Sequence, residues 1–421
     1  MAQNPPTQDL TFPRTYGDRV VTDPYPGFAM FREAGPVHFT EVVDGVEAWV
    51  VTDHENVMRV LTDHETFSSN PKNAPRAWLE KFSLLRDANG DFIIAENMLY
   101  ADPPVHTRLR RLVSKVFVPS RVAAMRPFIE RTTTQILDRL APRGQAELVY
   151  DFALLVPLTV ICELLGMPEA DRAQFQTWSN ELMVGRPVAP EQVDQAQWKI
   201  LGYLAELIQA KRREPGDDLL SDLIRVHDEG DQLNDIELVS MAALLFIAGQ
   251  ETAGNIIGNG LLELMREPAR LTALRDNPDL VPGAVDEFLR LVSPAMGTWR
   301  FTVADAQIAG VTIPAGQAVL PLLASANRDA SRFPHADDYD PLRSRDPHVA
   351  FGHGIHYCLG APLGRMEAEI AVGAAVRRLS GLSLAVPWDE LRWRPSLMRG
   401  LLELPVTFTA EPVRPAADEE G

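Results

Sequence analysis

Cysteine is nearly missing from this chain: Cys162 and Cys358 are the only two among 421 residues. That excludes a disulfide framework and a cysteine-rich zinc cluster, and a bridge between two lone thiols is not expected in a reducing compartment. Positive charge is also short. There are 40 Lys and Arg against 58 Asp and Glu, a formal net charge of -18, so the chain lacks the dominant basic balance of a nucleic-acid binder. A local basic patch is not excluded. No uncharged apolar run reaches the ~20 residues of a membrane-spanning helix. The start, MAQNPPTQDLTFPRTYGD, has no basic segment leading into an apolar one, so no secretory signal is visible. The expectation is a cytoplasmic monomer with neither a membrane nor a nucleic acid as partner.

Internal repeats and a clear linker are missing too, which points to one domain over residues 21–410. A flexible segment, 1–20, would precede it and a disordered polar tail, 411–421, would follow. The remaining composition, 46% hydrophobic and 23% charged, is ordinary for a globular protein and sufficient for a large core and a cofactor.

The pattern is mainly helical, with short strands near the two ends. Glu47 to Val51 reads as a strand, and Asp53-His54 as a helix start. From Asn70 to Tyr100 the pattern is irregular, and so long a loop in a compact domain is commonly a functional lid. Helical periodicity runs from Pro103 to about Leu291, broken at Gly185-Arg186-Pro187 and at the acidic turn His227 to Asp231. Phe301 to Leu322 reads as strands with a turn at Ile313-Pro-Ala-Gly316. A helix then starts near Pro362, and a last hairpin surrounds Arg399-Gly400.

The segment Phe351-Gly-His-Gly-Ile-His-Tyr-Cys-Leu-Gly360 carries the chemistry. Its glycines allow tight turns and a close approach to something flat. Pro362 suits the first turn of a helix, which places Cys358 just before unpaired amides and a dipole that favour a negative sulfur. A thiolate so held can ligate haem iron. Taken alone, a single cysteine is more often an inert buried hydrophobe. Here, however, the segment resembles the ligand loop of the cytochrome P-450 family, Phe-Gly-x-Gly-x-His-x-Cys-x-Gly, at every fixed position.

That resemblance implies a mainly α fold with small β-sheets (α+β), a single domain with a helix-rich region and a smaller β-rich one. It implies that Cys358 is the axial ligand of haem b, that Phe351 shields its sulfur, and that His356 bonds a haem propionate. Further segments resemble the family in order along the chain. Glu287-Phe-Leu-Arg290 has the spacing of a helical ion pair, and the family adds an Arg from a later coil, here Arg343 in Tyr339-Asp-Pro-Leu-Arg343. A long helix from Asn234 to about Leu264, roughly 45 Å at 1.5 Å per residue, opens with the capping-box pair Asn234 and Glu237. Its Ala248-Gly-Gln-Glu-Thr252 resembles the oxygen-activation motif. Thr252 would hold reduced dioxygen or a water beside it, Glu251 would relay protons, and Gly249 would let the helix open. The chain departs from soluble relatives at Gln250 and Ala253, which puts details of proton supply in doubt. Asp102-Pro-Pro-Val-His106-Thr-Arg-Leu-Arg110 reads as a capped helix start with His106 and Arg110 on one face. The resemblance gives both to the propionates, together with Arg300.

The same resemblance implies a monooxygenase that activates O2 with two electrons, taken from NAD(P)H through a reductase and a small iron–sulfur ferredoxin. Relatives of this soluble actinobacterial type tailor macrolides, other polyketides, terpenoids or steroids. The pocket residues implied are Trp78, Phe82, Leu84, Leu85, Ile93, Ile94 and Met98 of the long loop, Ala248 of the central helix, and Ala295, Met296 and Leu401 of later turns. Phe175, Trp178, Leu182 and Met183 would form the roof, and Arg76, Arg186 and Arg399 are candidate polar anchors. The ferredoxin would dock on Arg108, Arg111 and Lys115, which lie roughly 140° to 200° around the helix from His106. A peroxide-driven peroxygenase would not need the acid–alcohol pair Glu251-Thr252, and a haem sensor would not need a proton relay. A cysteine protease is a poorer reading still: Cys358 and His356, two apart in a glycine-rich turn, cannot face each other well.

Overall fold

Residues 12, 22–43, 45–82, 96–182, 190–226, 231–343 and 348–411 are described by the computed structural model of the chain. Leu84, Leu85, Ile93, Ile94, Met183, Gly185, Arg186 and Pro187 lie outside the described residues, as do nearly all of the expected flexible ends.

The helix Asp235–Met265 is the axis of the molecule. Asn234 accepts from the Glu237 amide at 2.9 Å and Glu237 returns a bond to the Asn234 amide at 2.9 Å, so the expected capping box is formed. Helices Leu155–Leu164, Pro190–Arg213, Val281–Leu291 and Ala361–Arg378 pack around it. The helix is long and apolar enough to cross a membrane by length and composition, but these neighbours take up that apolar surface. Close packing needs glycine at one point especially: a Cβ on Gly254 would lie 3.0 Å from the Ala153 carbonyl and 2.5 Å from Leu154 Cδ2.

The β-rich region is a five-stranded sheet in the order Val37–Val43, Val46–Val51, Ala318–Pro321, Arg300–Thr302, Phe67–Ser68. The first two strands form an antiparallel hairpin, and Val46–Val51 then pairs in parallel with Ala318–Pro321 through Trp49↔Val319 and Val50↔Leu320. Val46–Val51 has every residue but Glu47 buried, as a strand flanked on both sides should. Asp53 caps the helix His54–Thr62 by accepting from the Asn56 amide at 2.9 Å. The strands expected between Phe301 and Leu322 are present, and the C-terminal hairpin closes through a Trp393↔Leu401 bridge.

Three local expectations are corrected. The irregular stretch after Asn70 contains a short helix, Arg76–Lys81. Within the run read as helical, Gln145–Glu147 is a strand paired with Pro405–Thr407; three residues are too few for alternation to show. Asp102 does not cap its helix, which is Val105–Val116. Its carboxylate instead accepts from Ser68 Oγ at 2.5 Å and the Ser69 amide at 2.8 Å.

Glu287, Arg290 and Arg343 come together. Arg290 Nε and Nη2 donate to the two Glu287 oxygens at 2.7 and 2.8 Å, Arg343 Nε adds a bond at 3.2 Å, and the Asp340 amide one at 3.0 Å. Arg290 also donates to the carbonyls of Asn327 and Ala336. The cluster ties Val281–Leu291 to the coil leading to the cysteine loop. Removing one partner from such a buried pair costs about 3–5 kcal/mol, because the other charge stays buried and unanswered.

Candidate active site

The loop before Cys358 is shaped by its glycines. Gly352 and Gly354 have φ of +69° and +71°, conformations that a Cβ disfavours. Gly354 also packs against the end of His54–Thr62, where a Cβ would lie 2.6 Å from the Leu61 carbonyl. The Cys358 amide donates to the Phe351 carbonyl at 3.0 Å and closes the loop. The helix Ala361–Arg378 starts immediately beyond, with Pro362 in its first turn. The sulfur therefore receives the amides of Gly360 and Ala361. Burial raises the Cys358 thiol above its usual value, against the pull of those amides and of the Arg110 and Arg365 charges. Its surface is nonetheless open, because it faces an internal cavity. Cys162 is different: it is buried, and burial pushes its thiol up to about 12.

That cavity spans about 1100 Å³ of empty space, its open mouth included. Cys358, Phe351 and Gly360 form one wall, and Ala248, Gly249 and Thr252 of the central helix belong to another. His106, Arg110 and His356 also line it. The rings of His106 and His356 are 4.3 Å apart, and Arg300 is buried and close enough to act on both. Burial lowers His106, helped by Arg110. His356 is pushed down to about 2 by burial and by Arg300, His106 and Arg110. Burial also brings Arg300 down to about 10.

Both nitrogens of His106 are buried and have no hydrogen-bond partner among the described residues. A group of cationic and imidazole donors with so little negative charge near it is suited to a bound anion. Together with a sulfur cradled by amides and a large apolar cavity, it fits haem, a flat macrocycle with two carboxylates. One member of this cluster, Ser69, had no sequence signal. Its Oγ meets His356 Nε2 at 3.0 Å, and Asp102, read from sequence as a helix cap, accepts from its amide.

On the central helix, Thr252 Oγ1 donates to the Ala248 carbonyl at 2.6 Å, which leaves its lone pairs toward the cavity it lines. Glu251 keeps 18% of its side-chain surface and pairs with Arg394 Nη1 at 3.3 Å. Burial raises its pKa, and Arg394 opposes the shift. Gln250 is fully buried and accepts from Ser179 Oγ at 2.5 Å. Ser179 belongs to the helix Glu169–Leu182, so this bond ties that helix to the central one. Ala253 lines the cavity.

The expected pocket residues divide. Met98 and Ala248 line the cavity, joined by Leu244 and Leu245, whose apolar run had read only as helix core. Trp78, Phe82, Ala295, Met296 and Leu401 are not among its lining residues. The rings of Trp78 and Phe82 lie 4.7 Å apart, tilted at 36°, and pack on Trp299, with Phe301 against Trp78. Met296 and Leu401 are 1% and 2% exposed in the core, and Ala295 bridges to Met398. Phe175 is packed against Phe246 at 4.7 Å. Two anchors are corrected as well. Arg76 is exposed and paired with Glu80, and Arg399 is held by the Thr22 carbonyl and the Trp393 ring. On the expected docking face, Arg108 pairs with Asp231 at 3.1 Å and with Glu237.

The family model for cytochrome P-450 matches residues 28–399. Cytochrome P-450 107B1 of Saccharopolyspora erythraea is 43% identical over 395 residues, 93% of this chain and 96% of the relative. The 6-deoxyerythronolide B hydroxylase of the same organism is 40% identical over 401 residues, 94% of this chain and 98% of the relative. Among solved structures, the tirandamycin C-bound monooxygenase TamI is 41% identical and superposes with a TM-score of 0.82, covering 92% of this chain and 97% of its own.

Proposed function

The chain belongs to the cytochrome P-450 family and is a monooxygenase, and from that premise we propose that it oxidises a sizeable, mainly apolar secondary metabolite of the macrolide, polyketide, terpenoid or steroid kind. The observation that carries the reading is one cavity that brings together a thiol under two helix amides, imidazole and guanidinium groups suited to carboxylates, and Thr252. Haem, when bound, supplies the activation of O2, one atom of which goes to substrate and the other to water.

The protein's part is to hold and to supply. Cys358 presents sulfur to iron, and the amides of Gly360 and Ala361 favour its charged form. His106, Arg110, Arg300 and His356 meet the carboxylates. Thr252 orients a hydroxyl in the cavity, and Glu251 holds a proton beside it in sequence. Leu244, Leu245, Ala248 and Met98 keep the substrate side dry, which favours an apolar ligand. The names of the hydroxylase relative and of the TamI complex support this substrate class.

Electrons come from NAD(P)H through a reductase and a small ferredoxin in the cytoplasm. Arg111 and Lys115 of the helix Val105–Val116 are the cations proposed to meet that ferredoxin. Charge reversal at both slows reduction by an acidic ferredoxin at low salt; rates unaffected at every salt concentration would remove that docking face.

The substrate reading is tested by titrating the holoenzyme with macrolactones, steroids, terpenoids and small phenols while following the iron spin state. Binding by members of the first three classes, with oxygenated product on reduction, is the expected result. Tight binding confined to small phenols overturns it.

A further inference from the structure

Glu251, Asn255 and Asn259 lie four residues apart on the central helix and share one face. That face receives the C-terminal hairpin. Asn259 Nδ2 donates to the Arg399 carbonyl at 2.8 Å. Gly400 sits so close to Asn255 that a Cβ there would overlap its side-chain amide. The Arg394 amide donates to the Gly400 carbonyl at 2.9 Å, which fixes Arg394 at the third point of the face. There its side chain, 0% exposed, reaches Glu251 Oε1 at 3.3 Å. A buried guanidinium requires an answering negative charge, and Glu251 provides one.

We propose that Arg394 is a positioning residue for Glu251: from the C-terminal hairpin it orients the carboxyl of the acid–alcohol pair and sets whether that group holds a proton to give. The inference rests on the relay role proposed for Glu251. Two observations give it direction. Arg394 Nη1 donates to Glu251 Oε1 at 3.3 Å, a direct contact with the carboxyl itself. Among the described residues, Arg394 is also the one charged group that acts on Glu251, where burial alone would keep the carboxyl protonated. The helix Glu169–Leu182 meets this stretch through the neutral Ser179–Gln250 bond. Arg394 thus offsets burial and brings Glu251 toward a proton affinity from which it can both give and regain a proton.

The test is a pH titration of the folded holoenzyme by infrared difference spectroscopy, without substrate or electron donor. The buried carboxyl band of Glu251 is identified by its loss in Glu251→Gln. In Arg394→Met the band persists to higher pH, its midpoint moving up by roughly one unit or more. Arg394→Lys keeps the midpoint near the parent's. Asn259→Ala, which loosens the hairpin without touching the ion pair, leaves it in place. An unmoved midpoint in Arg394→Met overturns the proposal, and so does a shift of equal size in Asn259→Ala, which would assign the effect to hairpin docking. Carbon monoxide difference spectra of every variant report an intact site. Because the band needs neither substrate nor turnover, this result stands or falls separately from the substrate reading.

Discussion

The wall that carries Cys358 is made from ten consecutive residues, Phe351 to Gly360. The wall that carries Thr252 draws Glu251 and Gln250 from one helix, Arg394 from a hairpin 143 residues later and Ser179 from a helix 71 residues earlier. The first wall works through backbone: two left-handed glycines, a closing amide and two helix amides on sulfur. The second works through side chains that meet only in the folded molecule. Backbone geometry is dictated by neighbours in sequence, whereas a buried ion pair needs only a partner at the right place in space. The sulfur wall should therefore tolerate almost no change, and the oxygen wall should fail by degrees.

The largest effect tests the first half of that contrast. Cys358→Ala abolishes the strongly red-shifted thiolate band of the reduced carbon monoxide complex, while Cys162→Ala leaves it whole. A band surviving in the first variant, or lost in the second, would falsify the assignment of the ligand.

Next comes a graded failure on the other wall. Thr252→Ala leaves haem and substrate binding intact and diverts electrons to peroxide, with a roughly tenfold or larger fall in product per electron. Thr252→Ser, which keeps the hydroxyl, restores most of it. Equal yield per electron in Thr252→Ala and parent removes the threonine from the mechanism.

Two glycines then compare the walls directly. Gly354→Ala forces a Cβ onto a φ of +71° and against the Leu61 carbonyl, costing about 1–3 kcal/mol in thermal unfolding and lowering haem content. Gly249→Ala finds only ordinary contact, Ile161 Cδ1 at 3.7 Å, inside a helix where alanine gains about 0.5–1 kcal/mol. Equal stability losses would erase the distinction between the walls.

The smallest effect appears only on titration. Glu367 lines the cavity, and burial raises its carboxyl to about 8 from an ordinary 4.5. Across that window the unfolded chain has released a proton that the folded chain retains. Parent stability therefore falls as pH rises from 4.5 toward 8. Glutamine is neutral throughout, so the advantage of Glu367→Gln in unfolding free energy, read from denaturant melts, is absent below pH 4.5 and grows to on the order of a few kcal/mol above pH 8. A pH-independent difference would mean that the carboxyl does not titrate in this way.

This contrast also explains what the sequence could show. The helix at Asn234, the Glu287–Arg290 pair and the whole cysteine loop follow from spacings of three or four residues and from glycines in a row. The partners of those motifs do not. Nothing near Arg394 marks it as the answer to Glu251, and Ser69 has no local sign of facing His356. Asp102 has the form of a cap but is drawn to Ser68 and Ser69 by a tertiary contact. Trp78 and Met296 show the reverse error: large apolar residues near a pocket are equally good core, and the aromatic cluster with Trp299 and Phe301 claims the first.

The parallel pairing of Val46–Val51 with Ala318–Pro321 also governs the order of events during synthesis. At about 5–20 residues per second, the ribosome needs on the order of tens of seconds to make the stretch between them. Throughout that interval the inner edge of the N-terminal hairpin has no partner, and an unpaired apolar edge invites association with other chains. Cys358 emerges later still, so iron cannot be ligated until most of the chain is made. The nascent protein must therefore shelter one strand for most of its synthesis before the cofactor can help to hold it.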